Sequence, residues 1–243
     1  MHLLARHEDR LAVAVGWDVV VLDPATGRSA DESFARLTDR STVALAVGHE
    51  GGAWALRRSG AVEELRPSSD AVRRRLLAAM DDGATALAAR GGEQRAVAAG
   101  DASGRVHLLD DRDGTDPVHS DAPLHASPVT AVDLAHHGGH HLLISGGTDG
   151  AVQAWMPGRG PLSPPVPTRD VPVTAVAVAT TPGGLVCAAA WTDGLVRVVL
   201  AGAERVTHDL RLGAPAVGLA LTDEGRLCVA TTTGVLGIDL TAA

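Results

Sequence analysis

The residues from His136 to His141, read as His-His-Gly-Gly-His-His, form the densest group of metal-ligating side chains in the chain. If Gly138-Gly139 is a two-residue hairpin turn, His137 and His140 become direct cross-strand neighbours, and His136 pairs with His141 on the opposite face. Two imidazoles on one face can share a metal. Zinc, however, takes three or four ligands, and no Cys or carboxylate lies adjacent. The expectation is a solvated hairpin tip without a native metal or other cofactor, His137 and His140 being weak candidates at most.

Other groups invite similar weighing. The stretch Asp110-Asp111-Arg112-Asp113-Gly114-Thr115-Asp116 is rich in oxygen ligands, as calcium loops are, but lacks the EF-hand spacing and distal Glu. A polar turn is expected there. Arg73-Arg74-Arg75, with Arg57, Arg58 and Arg66 near in sequence, offers a positive surface to an acidic partner. The competing reading is edge protection, because charges on an outer strand discourage sheet-to-sheet aggregation. Trp17, Trp54 and Trp191 are expected to pack in the core or at its rim rather than to act as exposed anchors. Enzyme motifs fail one by one. There is no G-x-S-x-G, H-E-x-x-H, C-x-x-C or dinucleotide fingerprint, and His7-Glu8 and His49-Glu50 lack the second His.

Composition narrows the field further. The chain has 243 residues, 45% of them hydrophobic and 21% charged, with a formal net charge of −8. That is ample for a buried core. It contains no Lys, Asn or Tyr, which fits a GC-rich coding sequence. The absence of Lys removes the P-loop lysine, Schiff-base chemistry and a lysine general base. An acidic chain with 2% aromatic residues is a poor nucleic-acid binder. The apolar runs, such as VTAVAVA at 173–179, are too short to cross a bilayer. The opening MHLLARHEDR becomes charged too soon for a signal peptide. A cytoplasmic protein without membrane contact is expected. Cys187 and Cys228 lie in apolar strand-like segments and read as buried free thiols of a reducing compartment.

The elements that must position these residues follow a repeat. An apolar alternating run, a polar turn, a second apolar run, a Gly-containing turn and a third short run recur near 2–23, 42–65, 84–110, 129–155, 173–200 and 216–240. The turn glycine falls at Gly60, Gly104, Gly150, Gly194 and Gly234, with spacings of 44, 46, 44 and 40. Such runs read as antiparallel strands. Three strong strands and one weak strand in a period of this size indicate the blade of a β-propeller. Weak outer strands are expected at Ser33–Leu37, Arg73–Ala78, Val118–Leu124, Pro164–Thr168 and Arg205–Leu212. Residues 69–80 also have an apolar helical face, but the period favours a strand. The stretch 157–172 holds six prolines and must be an edge strand or a loop.

The fourth copy resembles a Trp-Asp (WD) repeat. His125-Ala-Ser-Pro128 leads into VTAV, Ser145 lies in the second strand, Asp149-Gly150 makes the turn, and Trp155 ends the third strand. The resemblance implies that His125, Ser145, Asp149 and Trp155 form a structural hydrogen-bonded network within one blade, which must be fully satisfied to be tolerable. The fifth copy keeps Asp193-Gly194 and has Val199 in place of the tryptophan, while the second and sixth copies are degenerate.

The expected fold is therefore all-β: one domain over 1–243, a WD-type propeller of about six four-stranded antiparallel blades, or six of seven, the last lacking its own outer strand. The resemblance implies a non-catalytic protein-interaction scaffold or sensor module. The alternative is a propeller enzyme, a lyase or hydrolase with a polar site at the central channel. The last copy ends its third strand by Leu240, so an open seam is expected there, with unpaired backbone that invites a partner strand.

Overall fold

The computed structural model describes residues 2–7, 10–15, 18–22, 29–31, 42–47, 53–67, 72–80, 83–90, 95–110, 117–201 and 205–240. Every regular element among them is a β-strand. The first sheet holds β1 (His2–His7), β2 (Arg10–Val15), β3 (Asp18–Leu22) and β4 (Ser29–Asp31). The second holds β5 (Thr42–Val47), β6 (Ala53–Arg57), β7 (Ala61–Pro67) and β8 (Val72–Ala79). The third holds β9 (Ala84–Arg90), β10 (Ala96–Asp101), β11 (Arg105–Asp110) and β12 (Val118–Pro123). The fourth holds β13 (Val129–His137), β14 (His140–Gly147), β15 (Val152–Met156) and β16 (Gly160–Pro161). The fifth holds β17 (Val173–Thr181), β18 (Gly184–Trp191), β19 (Leu195–Ala201) and β20 (Arg205–Arg211). The sixth holds only β21 (Ala216–Leu221), β22 (Arg226–Thr231) and β23 (Val235–Asp239).

Within each sheet, spatial order follows chain order, and neighbouring strands run antiparallel. The composition of each strand matches its place. The second strands β10 (AVAAGD) and β18 (GLVCAAAW) are nearly continuous runs of small and apolar residues, and they are buried on both faces over most of their length. The fourth strand β20 (RVTHDLR) is mostly exposed and carries charge at alternate positions.

By spatial proximity the chain divides into two compact units: Met1–Asp101 with His107–Ser120, and Ala102–Val106 with Asp121–Ala243. In the first, Trp54, Leu56, Val62, Met80, Val97, Ala99 and Leu109 form a shared core. In the second, Trp191 packs with Leu142, Ile144, Val152, Val173 and Val199. A further cluster joins Val196 and Val198 to Leu227 and Val229. Each fully buried Leu or Val contributes about 1.5–3 kcal/mol relative to exposure.

Contacts between the fourth and fifth sheets span one repeat. The Thr130 hydroxyl donates to the Val173 carbonyl at 2.7 Å, the Val178 N–H donates to Asp133 at 2.8 Å, and the Thr180 hydroxyl donates to the His136 carbonyl at 3.0 Å. Gly146 permits this approach, since a Cβ there would stand 2.3 Å from a methyl of Val173.

The periodic glycine has a shared task in the four-stranded sheets. Gly150 has φ of +74°, and a Cβ on it would lie 1.7 Å from the Arg169 carbonyl oxygen. Its own carbonyl accepts the Arg169 N–H at 3.3 Å. The carbonyls of Gly60, Gly104 and Gly194 likewise accept from Met80, Leu124 and Leu212, where the chain leaves the fourth strand. Gly234 departs from this pattern. It is not in the left-handed region, a Cβ there would meet nothing within 4 Å, and its carbonyl accepts from Thr231 instead. Among the described residues the sixth sheet has no fourth strand to return past it.

Several strand expectations need correction. The outer strand of the fourth sheet is β16 at Gly160–Pro161, not Pro164–Thr168. Prolines 164, 165 and 167 deny that later segment its ladder donors, and it runs as a loop that inserts Val166 into the core. The first sheet's fourth strand is Ser29–Asp31, and residues 33–37 lie outside the described residues. Residues 72–79 form a strand, as the period requires.

Candidate functional site

The turn after β14 and the entry to β13 bring three of the singled-out residues together. His125 Nε2 stands 2.8 Å from the Ser145 hydroxyl, and its Nδ1 stands 3.1 Å from an Asp149 carboxylate oxygen. Asp149 also accepts the backbone N–H groups of Ala126 and Ala151, each at 3.0 Å. Burial pushes the Asp149 carboxyl up, but these two N–H groups and His125 outweigh it and hold the group below its ordinary range. Gly147 makes room for the cluster: a Cβ there would stand 2.6 Å from Asp149 Oδ1 and 2.7 Å from His125 Nδ1. Trp155 is buried one strand away, across from Leu143 and Pro161, and takes no part in these hydrogen bonds.

The connectivity Ser–His–Asp is that of a hydrolase triad. The Ser145 hydroxyl, however, belongs to a residue of 0% exposure, and the His125 side chain is equally enclosed. No substrate carbonyl reaches that oxygen. The arrangement braces the β14–β15 turn against the incoming chain.

The fifth sheet solves the same problem with different chemistry. Forty-four residues after His125, Ser145 and Asp149 stand Arg169, Ala189 and Asp193. Arg169 forms a two-pronged pair with Asp193 at 2.8 and 3.0 Å. This guanidinium holds the Asp193 carboxyl at about 2. Asp193 accepts the Leu195 N–H as Asp149 accepts that of Ala151. The Arg169 guanidinium also lies 5.1 Å from the centre of the Trp191 ring, whose N–H donates to the Gly150 carbonyl. Arg169 was legible from the repeat offset alone, though no motif marks it.

At the His-rich hairpin, the register pairs His137 with His140 and His136 with His141 around Gly138-Gly139. Both glycines have positive φ, as a tight hairpin turn requires. The ring of His140 faces Arg159 at 3.3 Å, and among the described residues no group of three or more His, Cys, Asp or Glu is arranged to hold a metal ion. A second histidine chain had no sequence signal. Buried Asp101 stands 2.7 Å from His107 Nε2, and His107 Nδ1 stands 3.1 Å from exposed His119. The Asp101 carboxylate accepts from His107 Nε2–H, which leaves Nδ1 to the His119 contact.

The remaining candidates are placed as follows. Arg73 and Arg74 are exposed on β8, and Arg75 lies 3.6 Å from buried Glu64. Arg57 is buried and pairs with Glu63 at 2.7 Å and with the Thr42 hydroxyl. Trp54 and Trp191 are core residues; Trp17 and residues 111–116 lie outside the described residues. Both cysteines are free. Cys187 is buried, and burial pushes its thiol up to about 12, whereas Cys228 is half-buried rather than buried as expected.

Neither a protein-family model nor a curated protein sequence matches the chain. Solved structures do. The RRP9 WD40 repeats superpose with a TM-score of 0.70 at 14% identity, over 94% of this chain and 72% of that one. The computationally designed Ika8 protein superposes with a TM-score of 0.63 at 19% identity, over 98% of this chain and 70% of that one. At these identities the likeness speaks for architecture and nothing finer: the chain has the all-β fold of WD40-repeat propellers.

Proposed function

We propose that this protein is a non-catalytic interaction module of the cytoplasm that holds protein partners, one of them by strand addition along β23. The fold is commonly a protein-interaction scaffold. The observation that carries the finer reading is the three-stranded sixth sheet. Among the described residues, β23 pairs with β22 on one side and with no strand on the other. It presents Val235 and Leu236 at 75% and 47% exposure. An open strand edge offers backbone donors and acceptors for pairing, and the exposed apolar side chains add contact area.

Hydrogen–deuterium exchange tests this directly. The amides of β23 should exchange much faster than those of β22 in the free protein and become protected in the complex. Val235→Lys with Leu236→Lys should remove a partner from the set that co-purifies from the native host while leaving the melting temperature in place. Equal protection of β22 and β23 in the free protein, or an unchanged partner set, would refute strand addition.

A further inference from the structure

The second sheet carries a carboxylate in an unusual setting. Glu64 is 3% exposed, and three guanidiniums reach it: Arg66 Nε at 2.7 Å, Arg75 Nη1 at 3.6 Å and Arg95 Nη1 at 3.8 Å. The β7–β8 register sets Glu64 opposite Arg75, Leu65 opposite Arg74 and Arg66 opposite Arg73. Arg66 and Arg73 are exposed on the face that carries Glu64, and Arg73 pairs with no described acid; Arg74, opposite Leu65, lies on the other face. Directly across the β6–β7 ladder from Glu64 stands Trp54, itself buried, and its indole N–H has no acceptor among the described residues.

We propose that this face docks an extended acidic segment of a partner protein, rich in Asp or Glu. Edge protection accounts for charge on an outer strand. It does not account for a carboxylate buried beside those charges, nor for two arginines set opposite each other, an arrangement that disfavours the sheet by itself. Burying Glu64 is costly unless guanidiniums compensate it. Of the three, Arg66 is the exposed one, and it meets Glu64 through Nε, which leaves its terminal nitrogens toward solvent for a further carboxylate. All the Lys and Arg positions in this chain are Arg, whose planar fork binds carboxylates through two parallel hydrogen bonds. Arg66 and Arg73 are cross-strand neighbours on one face, close enough for one carboxylate of an extended acidic segment to bridge them. The chain as a whole carries −8. Screening over about 8 Å at physiological salt lets the patch act apart from the rest of the surface.

The proposal rests on the interaction-module reading in one respect, that the ligand is a protein. The test uses the full chain and a short fluorescein-labelled peptide of alternating Glu and Gly, followed by anisotropy near physiological salt. Saturable binding is expected, weakened about tenfold or more by Arg66→Glu with Arg73→Glu, and absent for the Gln-for-Glu peptide. The milder Arg73→Gln leaves the Arg66–Glu64 pair intact and should also weaken binding, so a folding defect in the first variant does not decide the matter. Val235→Lys with Leu236→Lys should leave peptide binding unchanged, which separates failure here from failure of strand addition at β23. Unchanged binding in both Arg variants, equal binding of the Gln peptide, or binding only of a phosphoserine version would overturn the proposal.

Discussion

His125 Nδ1 stands 3.1 Å from Asp149 although 24 residues of chain separate the two, and the turn between β14 and β15 is closed by that contact. Its other nitrogen is committed to Ser145. Loss of any member therefore strands a buried polar partner rather than merely deleting a bond.

Ser145→Ala and His125→Ala should each destabilise the protein by about 1–3 kcal/mol, the cost of leaving a buried group unsatisfied. For a chain of this size that lowers Tm by about 2–4 °C per kcal/mol. The double variant should lose less than the sum of the singles, with a coupling of about 0.5–3 kcal/mol. Additive losses in urea titrations would show that the three groups do not act as one network.

Gly147→Ala should be among the more damaging small substitutions in the fourth sheet, because its Cβ meets Asp149 and His125 inside 3 Å. Combining it with His125→Ala removes one of the two clashes, so the pair should be less unstable than the sum. Thermal melts of the three variants check this.

Acid should weaken the fifth sheet's turn in a defined window. Asp193 sits at about 2 in the folded state against an ordinary 3.8, held there first by Arg169. A carboxyl depressed on folding means the unfolded chain takes up the proton first as pH falls. Its contribution is whole above about pH 4 and is lost as pH drops through about 2. Asp149, also depressed, acts in the same direction. In Arg169→Gln, the Asp193 titration followed by carbon-detected NMR should move up into the ordinary Asp range. A titration that stays near 2 would show that Arg169 is not the cause.

The two thiols should separate cleanly. Cys187, buried with its thiol pushed up to about 12, should resist alkylation in the native protein, and half-buried Cys228 should react first. Mass spectrometry after brief native iodoacetamide treatment reads this as modification at Cys228 alone.

Much of this architecture was legible in the residues. The glycine period located the sheets because each such glycine except Gly234 answers one steric demand, the close passage of the chain leaving the fourth strand. His125, Ser145 and Asp149 were legible because all three remain in one copy. Trp155 keeps its place in the motif and contributes packing rather than a hydrogen bond, a difference that residue type and spacing do not encode. The proline-rich run hid β16, since its two ladder positions are Gly160 and Pro161 and carry no strand signal. Asp101, His107 and His119 were invisible because their meeting depends on register within the third sheet, and no local spacing encodes it.

The hydrogen bonds between the fourth and fifth sheets each join residues about one repeat apart, at separations of 43 to 45. Such contacts become available as soon as the next repeat has been synthesised, without waiting for distant sequence. The fifth sheet is thus suited to vectorial assembly on the ribosome, the fourth serving as the template on which it settles.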